Sequence, residues 1–383
     1  MRWLALLLTT IAWGADLKIT ANFPGGKLGQ VQRVSQWHWR VGVKGQSDQD
    51  GRNRQANWYY FRVDGARRGK QIVIDLVDLP GEYNYEKNQG AVTKDTRPYW
   101  REKEKGEWLE AEGDYDPAEP KWRLRFNPKG RAFTVAHLEP YLPKRLDALR
   151  KVLKPEIEVL GKTPAGRKIE LWTVDRSGAR PGAPTVWLMF RQHAWEAGSS
   201  WVADGALRNL PDGILWKILP SNDPDGVAEG GVRFNKFGYD LNRNWDSPYD
   251  AIKRPEILAQ KKAIEAWLEQ GNKIDFFLTV HNTETSEYLE GPPEGPGKEI
   301  WQALKDHSSF DPGREYFTRM DVTGPSRANV IQWLWNDKKV PAHLMELRIA
   351  RSPKLEARPT AQSWQQFGQQ MAKEIAAVLT RPR

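Results

Sequence analysis

The 383-residue chain has no cysteine. Disulfide crosslinks and thiolate metal ligands are therefore excluded together, and a transition metal would have to be held by histidine and carboxylate. Histidine is scarce as well, occurring only at His38, His137, His193, His281, His307 and His343, so the search for such a site is short. No internal repeat is visible. No nucleic-acid recognition motif accompanies the net charge of +9, and Lys and Arg are interspersed with Asp and Glu. That pattern implies a solvated basic surface suited to acidic substrates rather than a nucleic-acid partner.

Long apolar runs are also missing. The longest lies at the start, where Met1 and Arg2 precede an apolar stretch from Trp3 to Trp13, with small residues at Ala12 and Gly14. It falls well short of the ~20 residues of a membrane span. Read as a secretory signal over residues 1–15, it predicts an exported protein, periplasmic or extracellular, with no stable membrane span.

A hydrophobic content of 39% over this length supports more than one ordinary core, and two domains are expected. The 19 tryptophans fit core and domain-interface packing better than ligand stacking. In residues 16–139, short β-like runs at 37–43, 58–63, 71–77, 122–126 and 133–135 alternate with Gly, Pro and Asn, predicting an all-β sandwich. The charged stretch 99–121 reads as a long exposed loop. An amphipathic helix over 140–153 opens a second domain, 140–383. There strands near 168–174, 185–191, 214–219, 275–280 and 342–347 alternate with helices near 199–210, 255–270, 298–306 and 362–379. The fold class is α/β, a mainly parallel mixed sheet with helices on both faces.

Two histidines stand apart. His193 closely follows the apolar run Thr-Val-Trp-Leu-Met-Phe and precedes Glu196 by three positions; His281 directly follows Phe-Phe-Leu-Thr-Val. Ligand sites in open α/β sheets form at the carboxyl ends of strands, which brings both imidazoles to one edge. Two histidines and a carboxylate suit tetrahedral zinc with its fourth position open to water. Between them lie Asn222-Asp223-Pro224-Asp225-Gly226, Arg233 and Asp240-Leu241-Asn242-Arg243-Asn244-Trp245. A guanidinium holds a carboxylate through two parallel hydrogen bonds, the chemistry that selects a free chain terminus. Glu346 ends the late strand at the same edge, placed to act as a general base.

These five motifs, His-Ala-Trp-Glu, Asn-Asp-Pro-Asp-Gly, Asp-Leu-Asn-Arg-Asn-Trp, Thr-Val-His and Met-Glu-Leu-Arg, occur in an order that resembles zinc metallocarboxypeptidases of the carboxypeptidase A type. The short gap from Arg233 to Asn242-Arg243, the run Trp58-Tyr59-Tyr60-Phe61-Arg62-Val63 with Gly69, and Pro140-Tyr141 are similar to the cytosolic-carboxypeptidase branch with its N-terminal β-sandwich. The resemblance implies one Zn²⁺ on His193, Glu196 and His281, with Glu346 as the general base. It further implies that Arg233 stabilises an oxyanion, that Asn242 and Arg243 hold the substrate's terminal carboxylate, and that the substrates are peptide or protein C-termini. Arg327 would favour an acidic terminal residue, and Val330 and Ile331 an apolar one.

Alternatives remain open on sequence grounds. Arg243 could pair with Asp240 or Asp246, and Glu346 with Arg348. Trp195 stands where the family has small residues, Asp223 is inserted before Pro-Asp-Gly, and no substrate-capping tyrosine occurs between Thr323 and Pro341. The same zinc chemistry would serve an exported cell-wall-peptide or acyl-amino-acid hydrolase. A non-catalytic peptide- or glycan-binding protein is the rival from another class.

Overall fold

The computed structural model describes residues 17–381 except Gln89 and Ala91; the expected signal segment lies outside them. Two five-stranded sheets form first. One is ordered Lys18–Thr20, Tyr60–Asp64, Ala132–Ala136, Tyr99–Arg101, Leu109–Glu110, the other Glu112–Asp116, Lys121–Phe126, Ile72–Val77, His38–Gly42, Val31–Arg33. Along Lys121–Phe126, Trp122, Leu124 and Phe126 are buried while Arg123 is exposed, the two-residue period of a strand with one wet face. These side chains meet Phe61, Val63, Phe133 and Val135 in one core, and each such burial contributes roughly 1.5–3 kcal/mol. The all-β sandwich is present.

The stretch expected as a loop over 99–121 instead contributes strands Tyr99–Arg101, Leu109–Glu110 and Glu112–Asp116. Glu112–Asp116 is a sheet edge, paired only with Lys121–Phe126 among the described residues. An edge strand tolerates charge and needs little apolar alternation, so its sequence carries a weak strand signal. A small third sheet joins Gln46–Ser47, Arg54–Gln55, Gly81–Tyr83 and Glu86–Asn88.

The helix Pro143–Leu153 starts on proline and ends where Lys154 turns left-handed, φ 49°. Beyond it a seven-stranded sheet is ordered Glu156–Lys162, Lys168–Asp175, Leu215–Leu219, Thr185–Phe190, Phe276–Thr283, Ala342–Arg348, Tyr288–Glu290. Its four inner strands from Leu215–Leu219 to Ala342–Arg348 are parallel, and the outer pairings are antiparallel. All of Thr185–Phe190 is buried, as a strand covered on both faces requires. Val186, Leu188 and Phe190 face the core that contains helices Ala197–Leu207, Gly297–His307 and Ala361–Leu379, whereas Trp187 and Met189 face helices Pro255–Glu269 and Val330–Lys338. Helices Ala197–Leu207 and Ala361–Leu379 touch backbone to backbone: a Cβ on Gly205 would fall 1.9 Å from the Gln365 carbonyl oxygen, and one on Gly368 2.0 Å from that of Val202. Any side chain at either position would force the helices apart. Trp172, Trp187, Trp216 and Trp245 are fully buried in this domain, as packing tryptophans should be.

Candidate metal centre

The turn carrying His193 and Glu196 begins where the buried Thr185–Phe190 strand stops. Arg191 adopts φ 57°, an uncommon conformation for a residue with a side chain, and swings the chain off the sheet. Its buried guanidinium then holds the turn closed, with Nε and Nη2 donating to the Ala194 carbonyl at 2.9 and 2.7 Å and Nη1 to Ser200 Oγ at 2.9 Å. Helix Ala197–Leu207 follows directly. Asn282 ties that helix start to the sheet: its Oδ1 accepts from the Ser199 N–H at 2.9 Å and its Nδ2 donates to the Leu347 carbonyl at 3.1 Å. Neither Arg191 nor Asn282 was singled out by the sequence; both act over contacts that spacing does not reveal.

Three ligand atoms, one each from His193, Glu196 and His281, lie within 4.8 Å of one another, and all three residues are buried. His193 Nδ1 is 2.6 Å from Glu196 Oε1 and His281 Nδ1 is 2.9 Å from Oε2. On the far side of each ring, Nε2 meets an oxygen: Asp240 Oδ1 at 3.0 Å for His193, and Gln192 Oε1 at 2.9 Å for His281. Outer oxygens of this kind hold a proton on Nε2 and leave Nδ1 free to bind a metal. The donor set fits zinc: two imidazole nitrogens and a carboxylate, with no thiolate. Burial and Arg233 disfavour a proton on His193, yet the carboxylates of Glu196 and Asp240 outweigh them and raise its pKa. Burial would raise Glu196, but the two imidazoles prevail and hold it low.

Asp240 is the second hub. It accepts from His193, from Arg233 Nε at 2.8 Å and from the Asn242 N–H at 2.8 Å, and despite burial the positive Arg233 and His193 hold its carboxyl well below the usual range. Asp240 thus pairs with Arg233, while Arg243 Nη1 donates to the Asn242 carbonyl at 2.8 Å. The side chain of Asn242 is itself held by its Oδ1, which accepts from the Val330 N–H at 3.2 Å, and this places Nδ2 3.4 Å from His281 Nε2. Arg233, Arg243 and Arg327 line one cleft of about 460 Å³, whose other wall comes from the sandwich domain through Asp50, Arg52 and Asn53. Val330 and Ile331 are buried in the core with Trp333 and Leu344, so they do not form the wall of that cleft.

Glu346 sits in register with His281 on the neighbouring parallel strand and with Tyr288 on the other side. Its Oε2 is buried without a hydrogen-bond partner among the described residues. Burial and then the negative charge of Glu196 push its pKa well up, with Arg233 opposing. Arg348 pairs with Glu287 at 3.1 Å and with Asp311 at 3.6 Å. Trp195 packs sideways, its ring centroid 6.1 Å from that of His137. Asp223 caps the short helix Pro224–Glu229 by accepting from the Gly226 N–H at 2.8 Å, and Asp225 accepts from Thr163, Ala165 and Arg167. The Asn-Asp-Pro-Asp-Gly motif is therefore a structural brace behind the centre.

Comparison with known proteins agrees with this geometry. Residues 19–138 match the cytosolic carboxypeptidase N-terminal domain and residues 153–289 the zinc carboxypeptidase domain. An uncharacterized protein of Zymomonas mobilis is 26% identical over 300 residues, 73% of this chain and 72% of that protein. Human cytosolic carboxypeptidase 6 is 25% identical over 295 residues, 69% of this chain; the chain spans 57% of that relative's length. The fold is similar to that of a metallo-carboxypeptidase from Burkholderia cenocepacia, with a TM-score of 0.79 and 22% identity, covering 95% of this chain and 99% of that one.

These matches overturn the expected export to the periplasm or the exterior, give no support to the signal-peptide reading, and do not favour the cell-wall-peptide or acyl-amino-acid alternative. The N-terminal domain and the human relative are of the cytosolic carboxypeptidase type, which points to the cytosol. Only the apolar N-terminal stretch carried the exported reading. The two matched regions and the His193, Glu196 and His281 cluster place the chain in the zinc metallocarboxypeptidase family, in the branch that carries a cytosolic-carboxypeptidase N-terminal domain.

Proposed function

We propose that the protein hydrolyses the C-terminal peptide bond of peptides or proteins, with residues 16–139 as the sandwich domain and 140–383 as the catalytic domain. The observation that carries this reading is the convergence of two Nδ1 atoms on the Glu196 carboxylate, with Glu346 Oε2, which has no partner among the described residues, one strand away. His193, Glu196 and His281 hold the ion. When bound, zinc supplies Lewis acidity, which polarises a carbonyl and makes water acidic enough to ionise near pH 7. Glu346 takes the proton from the attacking water and delivers it to the leaving amine, a task suited to a half-buried carboxylate of raised pKa whose buried Oε2 has no competing partner among the described residues.

Arg233, fixed by Asp240, donates to the oxygen on which negative charge develops. Asn242 and Arg243 bind the terminal carboxylate and so restrict cleavage to the last residue. Burial lowers the Arg243 pKa, and against the opposing charge of Asp240 the neighbouring Arg233, Arg327 and Arg319 lower it further. Arg319 is paired with Glu290 at 2.9 Å, and Arg327 is exposed in the cleft. That concentration of positive charge favours an acidic terminal side chain.

The test is a set of matched peptides with free and amidated C-termini, ending in Glu or in Leu, given to zinc-loaded protein. Release of single terminal residues from the free acids alone, faster from Glu, is expected. Equal cleavage of the amides, or internal fragments, would refute the terminal-carboxylate role.

A further inference from the structure

One side chain of the sandwich domain reaches the backbone that carries Arg233. Gln46, on the short Gln46–Ser47 strand, directs Oε1 at three successive backbone N–H groups, accepting from Val232 at 2.8 Å, Arg233 at 2.8 Å and Phe234 at 3.0 Å, while its Nε2 donates to the Phe234 carbonyl at 2.6 Å. The Val232 carbonyl in turn accepts from the N–H of Trp195 at 2.9 Å, next to Glu196. The segment that carries Arg233 is thus held between the sandwich domain and the metal-ligand turn.

The base of this clamp is stiff. Asp48 accepts from the N–H groups of Arg52 at 2.8 Å and Asn53 at 3.2 Å and from Asn53 Nδ2 at 2.6 Å. The Gln49 N–H donates to the Gly238 carbonyl at 3.1 Å, and a Cβ on Gly238 would stand 2.4 Å from the Gln49 nitrogen. The two domains therefore meet backbone to backbone at the far end of the Arg233 loop, with no room for a side chain.

We infer that Gln46 is a positioning residue for Arg233: from the other domain it fixes the backbone on which the guanidinium is mounted. This rests on the oxyanion role given to Arg233 above. Side chains of the catalytic domain set where Arg233 points, through Asp240, whereas Gln46 sets where its Cα stands. Three N–H groups that lose their shared acceptor would let the segment drift, and a misplacement of about 1 Å in a catalytic donor costs as much as ~100-fold in rate.

The test uses the zinc-loaded full chain. Gln46→Leu is expected to lower kcat by roughly 10- to 100-fold, with KM within about 2-fold of wild type and zinc stoichiometry retained, because the group acts on the transition state. On an Arg233→Gln background the same substitution should cost no further kcat. If Gln46→Leu does not fold, Gln46→Asn, which keeps an amide but is one methylene too short, should give the same selective loss. Wild-type kcat in the folded Gln46 variant, or an equal fold-loss on both backgrounds, overturns the positioning role alone. Unchanged kcat in Arg233→Gln by itself would overturn the oxyanion role, and the positioning role with it.

Discussion

Replacing Glu346 with Gln separates chemistry from architecture at this site, because the substitution removes a proton acceptor and almost nothing else. Glu346 Oε2 is buried and has no partner among the described residues, so no hydrogen bond is lost when the oxygen becomes an amide nitrogen. A general base contributes about 10²- to 10⁴-fold, which corresponds to ~2.7–5.5 kcal/mol of transition-state stabilisation; kcat on a free-acid peptide should fall by that factor. Stability should move the other way. Glu346 has its folded pKa raised, by burial first and then by Glu196. As pH rises above the unfolded value of 4.5, the unfolded chain releases its proton first, so the carboxylate costs stability in that window. Metal-free E346Q should therefore melt at or above the wild-type temperature at pH 8. Turnover within several-fold of wild type would refute the assignment, and a loss of activity accompanied by a lower melting temperature would show that Glu346 is an architectural residue.

Two further outcomes follow from groups around the site. His137 and His343 are fully buried, and burial lowers the pKa of each to about 3; their neutral forms support the fold above the unfolded pKa of 6.5, and that support drains as pH falls toward 3. Each should cost about 2 kcal/mol by pH 5, so denaturant titrations should show His137→Leu losing about half as much stability between pH 7 and 5 as wild type does through this pair, and an identical slope would exclude the effect. Asp240→Asn removes the carboxylate that orients His193, and chelator competition should show zinc affinity reduced roughly 10- to 100-fold; unaltered affinity would show that the His193 ring is held by other contacts.

The parts of this site that sequence reveals are those created by strand ends. His193 and His281 each follow a buried apolar run, and parallel strands discharge their carboxyl ends on one edge, so the meeting of the two rings is legible before any coordinates. What escapes is long-range. Asp240 lies 47 residues from His193 and Gln46 lies 187 from Arg233, and no periodicity links such pairs. Other omissions had a usable signal. Val330 and Ile331, expected to favour an apolar terminal residue, instead open the helix Val330–Lys338, and the reciprocal capping box of Asn329 and Gln332 is a local sign of that helix start. Asp223 followed by Pro224 carries the same message for Pro224–Glu229, an N-cap and a proline at the first turn. The strand Glu156–Lys162 sits at a sheet edge with Ile157 and Val159 exposed, and such a strand has no buried face to write into its pattern.

The oxyanion role proposed for Arg233 asks a loop residue to serve as a catalytic donor, and the charges around it bear on that demand. Electrostatic stabilisation is effective only when the donor is already in place as charge develops, since reorientation during the reaction would consume the gain. A surface arginine on a loop fails that requirement, because its rotamers and its backbone both wander. Here the guanidinium is fixed by Asp240 Oδ2, the same carboxylate that takes the His193 Nε2 contact through Oδ1, so donor and ligand share one rigid acceptor. The backbone beneath is fixed by Gln46 from the sandwich domain and by Trp195 from the ligand turn. Removing any one of these anchors leaves the others in place, but only their combination fixes Arg233 relative to both the ion's ligands and Glu346. Under the role proposed for Arg233 the sandwich domain is part of the catalytic geometry, and a catalytic domain expressed from residue 140 onward should keep its three ligands while losing the backbone anchor of that donor.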